Sequence, residues 1–105
     1  MNHRIRKWLG VVLSMTAVCA SADELQVRVM AASCATCHGT SGVAQPGMAS
    51  LAGQRHADLR QKLLDFKTGR TPATLMHQLA KGYSDEQLDQ LAGYFAALGH
   101  EGGQP

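Results

Sequence analysis

The sequence predicts an all-α fold with three main helices and long loops, and three observations support this fold class. Residues 23–105 contain no isoleucine and only three valines, so residues that favour β-strands are scarce. Alanine, leucine, glutamine and lysine, which favour helices, dominate instead. The apolar residues also recur at spacings of three and four, the period of a helix with one buried face.

The first 22 residues have the pattern of a secretory signal peptide. Residues 1–7 carry three positive charges and no acid, residues 8–18 form an apolar run, and Ala20-Ser21-Ala22 supplies the small residues that a signal peptidase reads. A membrane anchor needs roughly 20 apolar residues, so no membrane span is expected in the mature chain. We therefore assign residues 1–22 to a removed signal peptide and residues 23–105 to one domain.

Removal of this segment reverses the formal charge. The whole sequence carries +2, whereas residues 23–105 hold seven Lys and Arg against eight Asp and Glu, a formal charge of −1. No run of like charge remains, so nothing points to a nucleic-acid partner. A domain this small is close to the lower limit for a self-sufficient core, and a bound cofactor often completes such a core.

The first predicted helix follows Asp23 and runs directly into Cys34. Leu25, Val29 and Ala32 recur at spacings of four and three, so they share one helical face. We expect this face to be buried.

The second predicted helix is HADLRQKLLDFKTG, residues 56–69. It aligns Leu59, Leu63 and Phe66 on one face, and Gly69 is a natural C-terminal stop.

The third predicted helix starts at Ser84, where Gln87 completes a capping box, and Gly99 is expected to end it. Its apolar face is formed by Leu88, Leu91, Ala92, Phe95 and Leu98. A short helical piece is expected at residues 73–81, within the loop that precedes this helix.

The segment CATCH, residues 34–38, carries the chemistry of the chain. A redox dithiol needs its CxxC at a strand-to-helix junction, and the chain has no credible strand. A zinc site needs four ligands in a tetrahedron, yet Cys37 and His38 are adjacent and no second CxxC is present. A disulfide between Cys34 and Cys37 suits an exported protein but leaves His38 without a role.

Covalent attachment of haem uses all three residues of this motif. The two thiols add to the two vinyl groups of haem, and the histidine that follows coordinates the iron. Haem c is attached outside the cytoplasm, in agreement with the predicted signal peptide. We therefore predict a periplasmic protein with one haem c and its iron, held by Cys34, Cys37 and His38.

The second axial ligand of the iron must come from elsewhere in the chain, and two of the methionines are poorly placed. Met30 lies one helical turn before the motif, on the side of His38. Met48 lies in the loop after the motif, which is expected to wrap the same side. A carbonyl near Pro46 is expected to accept the ring N–H of His38 there and to fix its orientation.

Met76 is the predicted distal ligand. It follows His38 by 38 residues, in a loop between two predicted helices, and can reach the opposite face of the haem. Its neighbour His77 remains the strongest alternative. The choice matters because a thioether ligand raises the reduction potential relative to a second imidazole.

With these motifs, residues 23–99 resemble a class I bacterial cytochrome c. The resemblance runs through CATCHGTSG, PGMASLAGQ, LLDFKTGR, a methionine and YSDEQLDQLAGYFAAL. It implies helices wrapped around one covalently bound haem, attached at Cys34 and Cys37 and ligated by His38 and Met76.

A narrower resemblance lies in LMHQLAKGYS, residues 75–84, which is similar to a segment of the cytochrome subunit of flavocytochrome c sulfide dehydrogenases. It implies a flavoprotein partner that oxidises sulfide at FAD and passes electrons to this chain, which has no flavin site of its own. Ala49 and Asp58 depart from the broader cytochrome pattern, where a second proline and a tyrosine are common.

Three functions remain in competition. The chain is an electron-transfer subunit of such a dehydrogenase, a free-standing periplasmic carrier to a terminal oxidase or another cytochrome, or a haem enzyme or gas sensor with an open iron position. The third requires that Met76 does not bind, and the sequence offers no distal acid–base pair for catalysis. Four cations, Lys62, Lys67, Arg70 and Lys81, either guide a redox partner to the haem edge or belong to a scattered solvated surface.

Overall fold

The computed structural model describes the backbone of residues 23–101 and the side chains of residues 23–99. The predicted signal peptide lies outside the described residues. All regular structure in the described part is helical: α1 (residues 23–38), α2 (His56–Thr68), α3 (Met76–Lys81) and α4 (Asp85–Glu101). The predicted all-α class is confirmed. None of these helices is long and apolar enough to cross a membrane.

Helix α4 carries most of the core. Leu88, Leu91, Ala92 and Phe95 are buried and cluster with Leu59 of α2 and Ala31 of α1. Burial of a leucine or phenylalanine side chain stabilises a fold by roughly 1.5–3 kcal/mol, so this face accounts for much of the attraction between helices. The predicted apolar face of α4 is confirmed, with Leu98 partly buried at its end.

The predicted buried face of α1 was wrong. Leu25 and Val29 are 63% and 65% exposed, and Ala32 is exposed as well. Ala31 is buried instead, and Met30 and Cys34 pack against the core. Met30 and Ala31 lie four and three residues before Cys34 and so share its helical face. The face of α1 that carries Cys34 is the one turned toward the core.

Of the two glycines predicted to end helices, Gly69 ends α2 but Gly99 does not end α4. Gly69 adopts a left-handed conformation with φ +79° and donates its N–H to the carbonyl of Phe66, so it ends α2 as predicted. Gly99 does not end α4, which continues to Glu101. A Cβ at Gly99 would lie 2.2 Å from the Cα of Gly53, so this glycine permits close backbone contact with the loop before α2.

The start of α4 has the predicted capping box. The backbone N–H of Ser84 donates to Oε1 of Gln87 at 2.9 Å, and the N–H of Gln87 donates to Oγ of Ser84 at 3.1 Å. The short helix before it begins at Met76, three residues later than expected.

The segment between α1 and α2 closes on itself. The carbonyl of Gly42 accepts hydrogen bonds from the N–H groups of Leu51 and Ala52, at 2.7 and 3.0 Å. Gly42 is buried with φ +74°, and a Cβ there would lie 3.1 Å from the ring of Phe95. Residues 42–52, called the closed loop below, are therefore held as a compact unit against α4.

Candidate haem site

A cleft of about 500 Å³ lies among the four helices and the closed loop. This volume lies within the roughly 300–1,000 Å³ typical of small-molecule and cofactor sites. Its apolar lining includes Leu59, Leu63, Phe66, Leu75, Leu79 and Leu91.

The attachment motif forms one wall of this cleft. Cys34, Cys37 and His38 all belong to the last turn of α1, where spacings of three and four place side chains on one face. All three line the cleft. Cys34 and Cys37 are not joined to each other by a disulfide in the described part of the chain.

The structure weighs against two of the three competing chemistries of this motif, the redox dithiol and the zinc site. Burial raises the pKa of the Cys34 thiol, whereas a reactive dithiol needs a lowered pKa to supply a thiolate. Among the described residues, no group of three or more His, Cys, Asp or Glu side chains is placed to hold a metal ion by itself. A redox dithiol and a structural zinc site are therefore both disfavoured.

The ring of His38 is oriented by the closed loop. Its Nδ1 lies 2.5 Å from the carbonyl oxygen of Ala49, so Nδ1–H donates and Nε2 is left to act as a ligand. The expected acceptor near Pro46 is thus present, three residues farther on. Because a backbone carbonyl is the acceptor, alanine supplies it as well as the proline that is common at this position.

Two further bonds fix the acceptor. The N–H of Ala44 donates to Oγ of Ser50 at 2.9 Å, and the N–H of Met48 donates to the carbonyl of Gln45 at 3.1 Å. The orientation of His38 therefore rests on a loop with several internal hydrogen bonds.

The four candidates for the second axial position are placed differently. Met76, the first residue of α3, is partly buried and lines the cleft. His77 does not line it, and its Nδ1 is buried without a hydrogen-bond partner among the described residues. Met30 is also absent from the lining. Met48 lines the cleft but precedes Ala49, the residue that holds His38.

Three polar contacts at the cleft were not foreseen from the sequence. Oγ of Ser33 and the hydroxyl of Tyr83 lie 2.9 Å apart. Nζ of Lys62 donates to Oε1 of Gln54 at 2.8 Å, and Nε2 of Gln54 donates to the carbonyl of Ser50 at 2.6 Å. The sequence held one signal for the contact of Lys62. This residue lies three positions after Leu59, at the border of the apolar face of α2.

Lys62 is the one Lys, Arg, Asp or Glu that lines the cleft in the described part of the chain. The other predicted cations lie elsewhere: Lys67 pairs with Asp85 at 2.8 Å and Arg70 with Asp65 at 3.4 Å. Asp58, which stands where a tyrosine is common, forms an exposed ion pair with Arg55 at 3.7 Å.

These residues fit a haem. A haem is a flat and largely apolar ring with two vinyl groups, two carboxylate arms and a central iron. The cleft offers two thiols, an oriented imidazole, a thioether, an apolar lining and one cation. Each chemical feature of the cofactor therefore has a suitable counterpart in the lining.

Comparison with known proteins gives the same assignment. The sequence model of the family described as cytochrome c oxidase, cbb3-type, subunit III matches residues 22–95. The cytochrome subunit of sulfide dehydrogenase from Chlorobaculum tepidum is 36% identical over 75 residues, which are 71% of this chain and 68% of that protein. Cytochrome c-553 of Helicobacter pylori is 33% identical over 92 residues, which are 86% of this chain and 92% of that protein.

Other relatives are longer than this chain. The thiosulfate dehydrogenase electron acceptor of Stutzerimonas stutzeri is 33% identical over 85% of this chain but only 44% of its own length. The chain thus spans less than half of that relative. The family match and the two relatives covered over more than two thirds of their length show that this chain belongs to the class I c-type cytochromes, electron-transfer proteins with covalently bound haem c.

Proposed function

We propose that Cys34 and Cys37 hold the haem of this cytochrome through thioether bonds, with His38 and Met76 as the two axial ligands of the iron. The cleft supports this assignment, because its lining includes all four residues. The observation that carries it is the bond from Nδ1 of His38 to the carbonyl of Ala49, which leaves Nε2 for the iron. The haem, when bound, supplies a centre that takes up and releases one electron.

The protein side chains set the properties of that centre. The carbonyl of Ala49 holds the His38 ring and increases its basicity. The thioether of Met76 is an uncharged ligand that raises the reduction potential relative to an imidazole. The apolar side chains of the lining would exclude water from the haem, and Lys62, the cation of that lining, would be available to pair with a haem carboxylate.

If His38 and Met76 both bind, the iron would have no open position for a substrate. On this proposal the chain would have no catalytic site of its own, and its task would be to hold the haem, tune its potential and exchange electrons with partners. An enzyme or gas sensor with an open iron position is disfavoured for the same reason.

We further propose that the chain works in the periplasm as the cytochrome subunit that accepts electrons from a sulfide-oxidising flavoprotein. Two relatives support this role by their names, one a cytochrome subunit of sulfide dehydrogenase and the other a thiosulfate dehydrogenase electron acceptor. The predicted signal peptide of residues 1–22 supports export.

A free-standing carrier is the second candidate. It is favoured by cytochrome c-553 of Helicobacter pylori, 92% of which this chain covers. In that case the chain delivers electrons to a terminal oxidase or another cytochrome without a dedicated flavoprotein.

Mild affinity purification from the periplasm of the native host separates these two functions. The absorbance and flavin fluorescence of the eluate are recorded before and after sulfide is added, and dithionite then reduces all remaining haem as the reference. We expect a co-purified flavoprotein and haem reduction by sulfide. A haem protein that elutes alone and is reduced by dithionite but not by sulfide contradicts the subunit function and leaves the free carrier.

A further inference from the structure

Helix α3, which begins with Met76, is too short to hold its own position. It has six residues, of which only Ala80 is buried, and no side chain caps its N-terminus. Isolated helices shorter than roughly 12 residues are marginal in water, so the placement of α3 depends on contacts with the rest of the fold.

Tyr83 provides such a contact two residues after the end of α3. Its hydroxyl lies 2.9 Å from Oγ of Ser33, on the turn of α1 next to Cys34. Oγ of Ser33 donates its own proton to the carbonyl of Met30 at 2.7 Å, so the hydroxyl of Tyr83 is the donor to Ser33. One hydrogen bond therefore joins the segment just after α3 to the residue of α1 that directly precedes the attachment motif.

The same residue is held from the opposite direction by α2. Nζ of Lys67 donates to the carbonyl of Tyr83 at 2.8 Å and to the carboxylate of Asp85 at 2.8 Å. The Lys67 side chain is only 27% exposed, so its bond to the carbonyl of Tyr83 is partly shielded from water. Tyr83 is thus fixed by its hydroxyl to α1 and by its carbonyl to α2.

We propose that Tyr83 is a positioning residue for Met76: it fixes α3 relative to the attachment helix and so sets how firmly the methionine sulfur is held at the iron. This inference rests on the proposed ligation by Met76. Tyr83 itself lines the cleft, and in this proposal it acts on Met76 through the backbone of α3. Loss of one net hydrogen bond changes such an equilibrium by about 2- to 10-fold.

Imidazole titration of the ferric holoprotein tests this inference, because added imidazole competes with Met76 for the iron. The readout is the weak far-red absorbance band of methionine–iron ligation. Tyr83→Phe keeps the ring, which packs against the core, and removes the hydroxyl. We expect the band to be present without imidazole and the apparent imidazole affinity to rise about 2- to 10-fold.

Tyr94→Phe is the matched control. Tyr94 is the other tyrosine of the chain, its ring contacts Phe95 edge to face, and it does not line the cleft. Its imidazole affinity should equal that of the unmodified protein. Ser33→Ala removes the acceptor, so we expect it to match Tyr83→Phe, and the double variant should show no further increase.

The outcomes separate this inference from the proposed ligation. Equal imidazole affinity in Tyr83→Phe and Tyr94→Phe, whether both are unchanged or both raised, overturns the positioning function. Additive effects of Tyr83→Phe and Ser33→Ala overturn it as well. If the band is absent in the unmodified ferric protein, or persists in Met76→Ala, the ligand assignment itself fails.

Discussion

The two sides of the candidate haem site are built in different ways. On the His38 side, the proposed ligand lies on a long helix and its ring is held by the closed loop, which has several backbone hydrogen bonds. On the Met76 side, the proposed ligand begins a six-residue helix that packs against α2 and whose C-terminal end is joined to α1 and α2 through Tyr83 and Lys67. One proposed axial ligand is therefore held by local structure, whereas the other depends on contacts with residues distant in sequence.

The largest effect on haem binding and folding is expected from the two cysteines proposed to attach the haem. The double variant Cys34→Ser, Cys37→Ser should carry no covalent haem. It should also lose most of its helical circular dichroism, because the apolar side chains of the cleft would no longer pack against the haem. The measurements are haem retention on a denaturing gel and far-ultraviolet circular dichroism. A well-folded double variant without haem would show that the helices are stable without the cofactor.

A smaller loss is expected when the closed-loop side is separated from α4. Gly99→Ala would place a Cβ 2.2 Å from the Cα of Gly53, so the loop backbone must shift. We expect a loss of about 1–3 kcal/mol in the free energy of unfolding, as for other overpacked contacts. Thermal or denaturant unfolding of the holoprotein measures it.

Gly93→Ala in the same helix is the control for this change. Its Cβ would meet nothing closer than the His56 ring at 3.4 Å, an ordinary contact. Because alanine favours helices over glycine by up to about 1 kcal/mol, this variant should be unchanged or more stable. Equal destabilisation of the two variants would contradict the contact between Gly99 and Gly53.

Substitution of Lys62 tests whether the closed loop also influences the reduction potential of the haem through this lysine. Its ammonium is oriented by Gln54, which is bonded to Ser50 of that loop. Removal of a cation near the haem favours the oxidised state, so Lys62→Met should lower the reduction potential by about 10–40 mV, the equivalent of an exposed ion pair. Lys81→Met, which changes an exposed lysine outside the cleft lining, should leave the potential unchanged in the same redox titration.

The smallest effect concerns the acid stability of the Met76 side. The hydrogen bond and charge of Lys67 lower the pKa of Asp85, so the ionised carboxylate favours the folded state. Its contribution is present above the ordinary carboxyl pKa and is lost as the pH falls through the lowered value. Melting temperatures at pH 7 and pH 3 should therefore differ slightly less in Asp85→Asn than in the unmodified protein.

Glu86→Gln is the matched control for the acid-stability prediction. Glu86 lies in the same first turn of α4, and the described residues contain no ion pair with it. Its pH dependence should follow that of the unmodified protein. If Asp85→Asn and Glu86→Gln behave alike, the ion pair with Lys67 makes no separate contribution.

The sequence predicted the features that depend on local patterns and missed those that depend on contacts between distant residues. The apolar face of α4, the capping box at Ser84 and the stop at Gly69 are local patterns within one or two helical turns, and all are confirmed. Family membership and the haem c cofactor followed from five consecutive residues, 34–38, together with the resemblance of the whole domain.

The errors arose where a distant contact overrides a local pattern. The stripe of Leu25 and Val29 has helical spacing, but the attachment motif fixes the rotation of α1 and turns that stripe outward. Glycine often ends a helix, but Gly99 instead permits a close backbone contact with Gly53. The bond between Ser33 and Tyr83 spans 50 residues and left no spacing signal in the sequence.

The far-red absorbance of the ferric holoprotein tests the central account most directly, in the unmodified protein and in Met76→Ala, His77→Ala and Met48→Ala. We predict that the methionine–iron band is present in the unmodified protein, in His77→Ala and in Met48→Ala, and is lost only in Met76→Ala. A band that survives in Met76→Ala and disappears in Met48→Ala would move the second ligand to the closed loop. A ferric protein without the band would contradict methionine ligation, and with it the contrast between the two sides of the site.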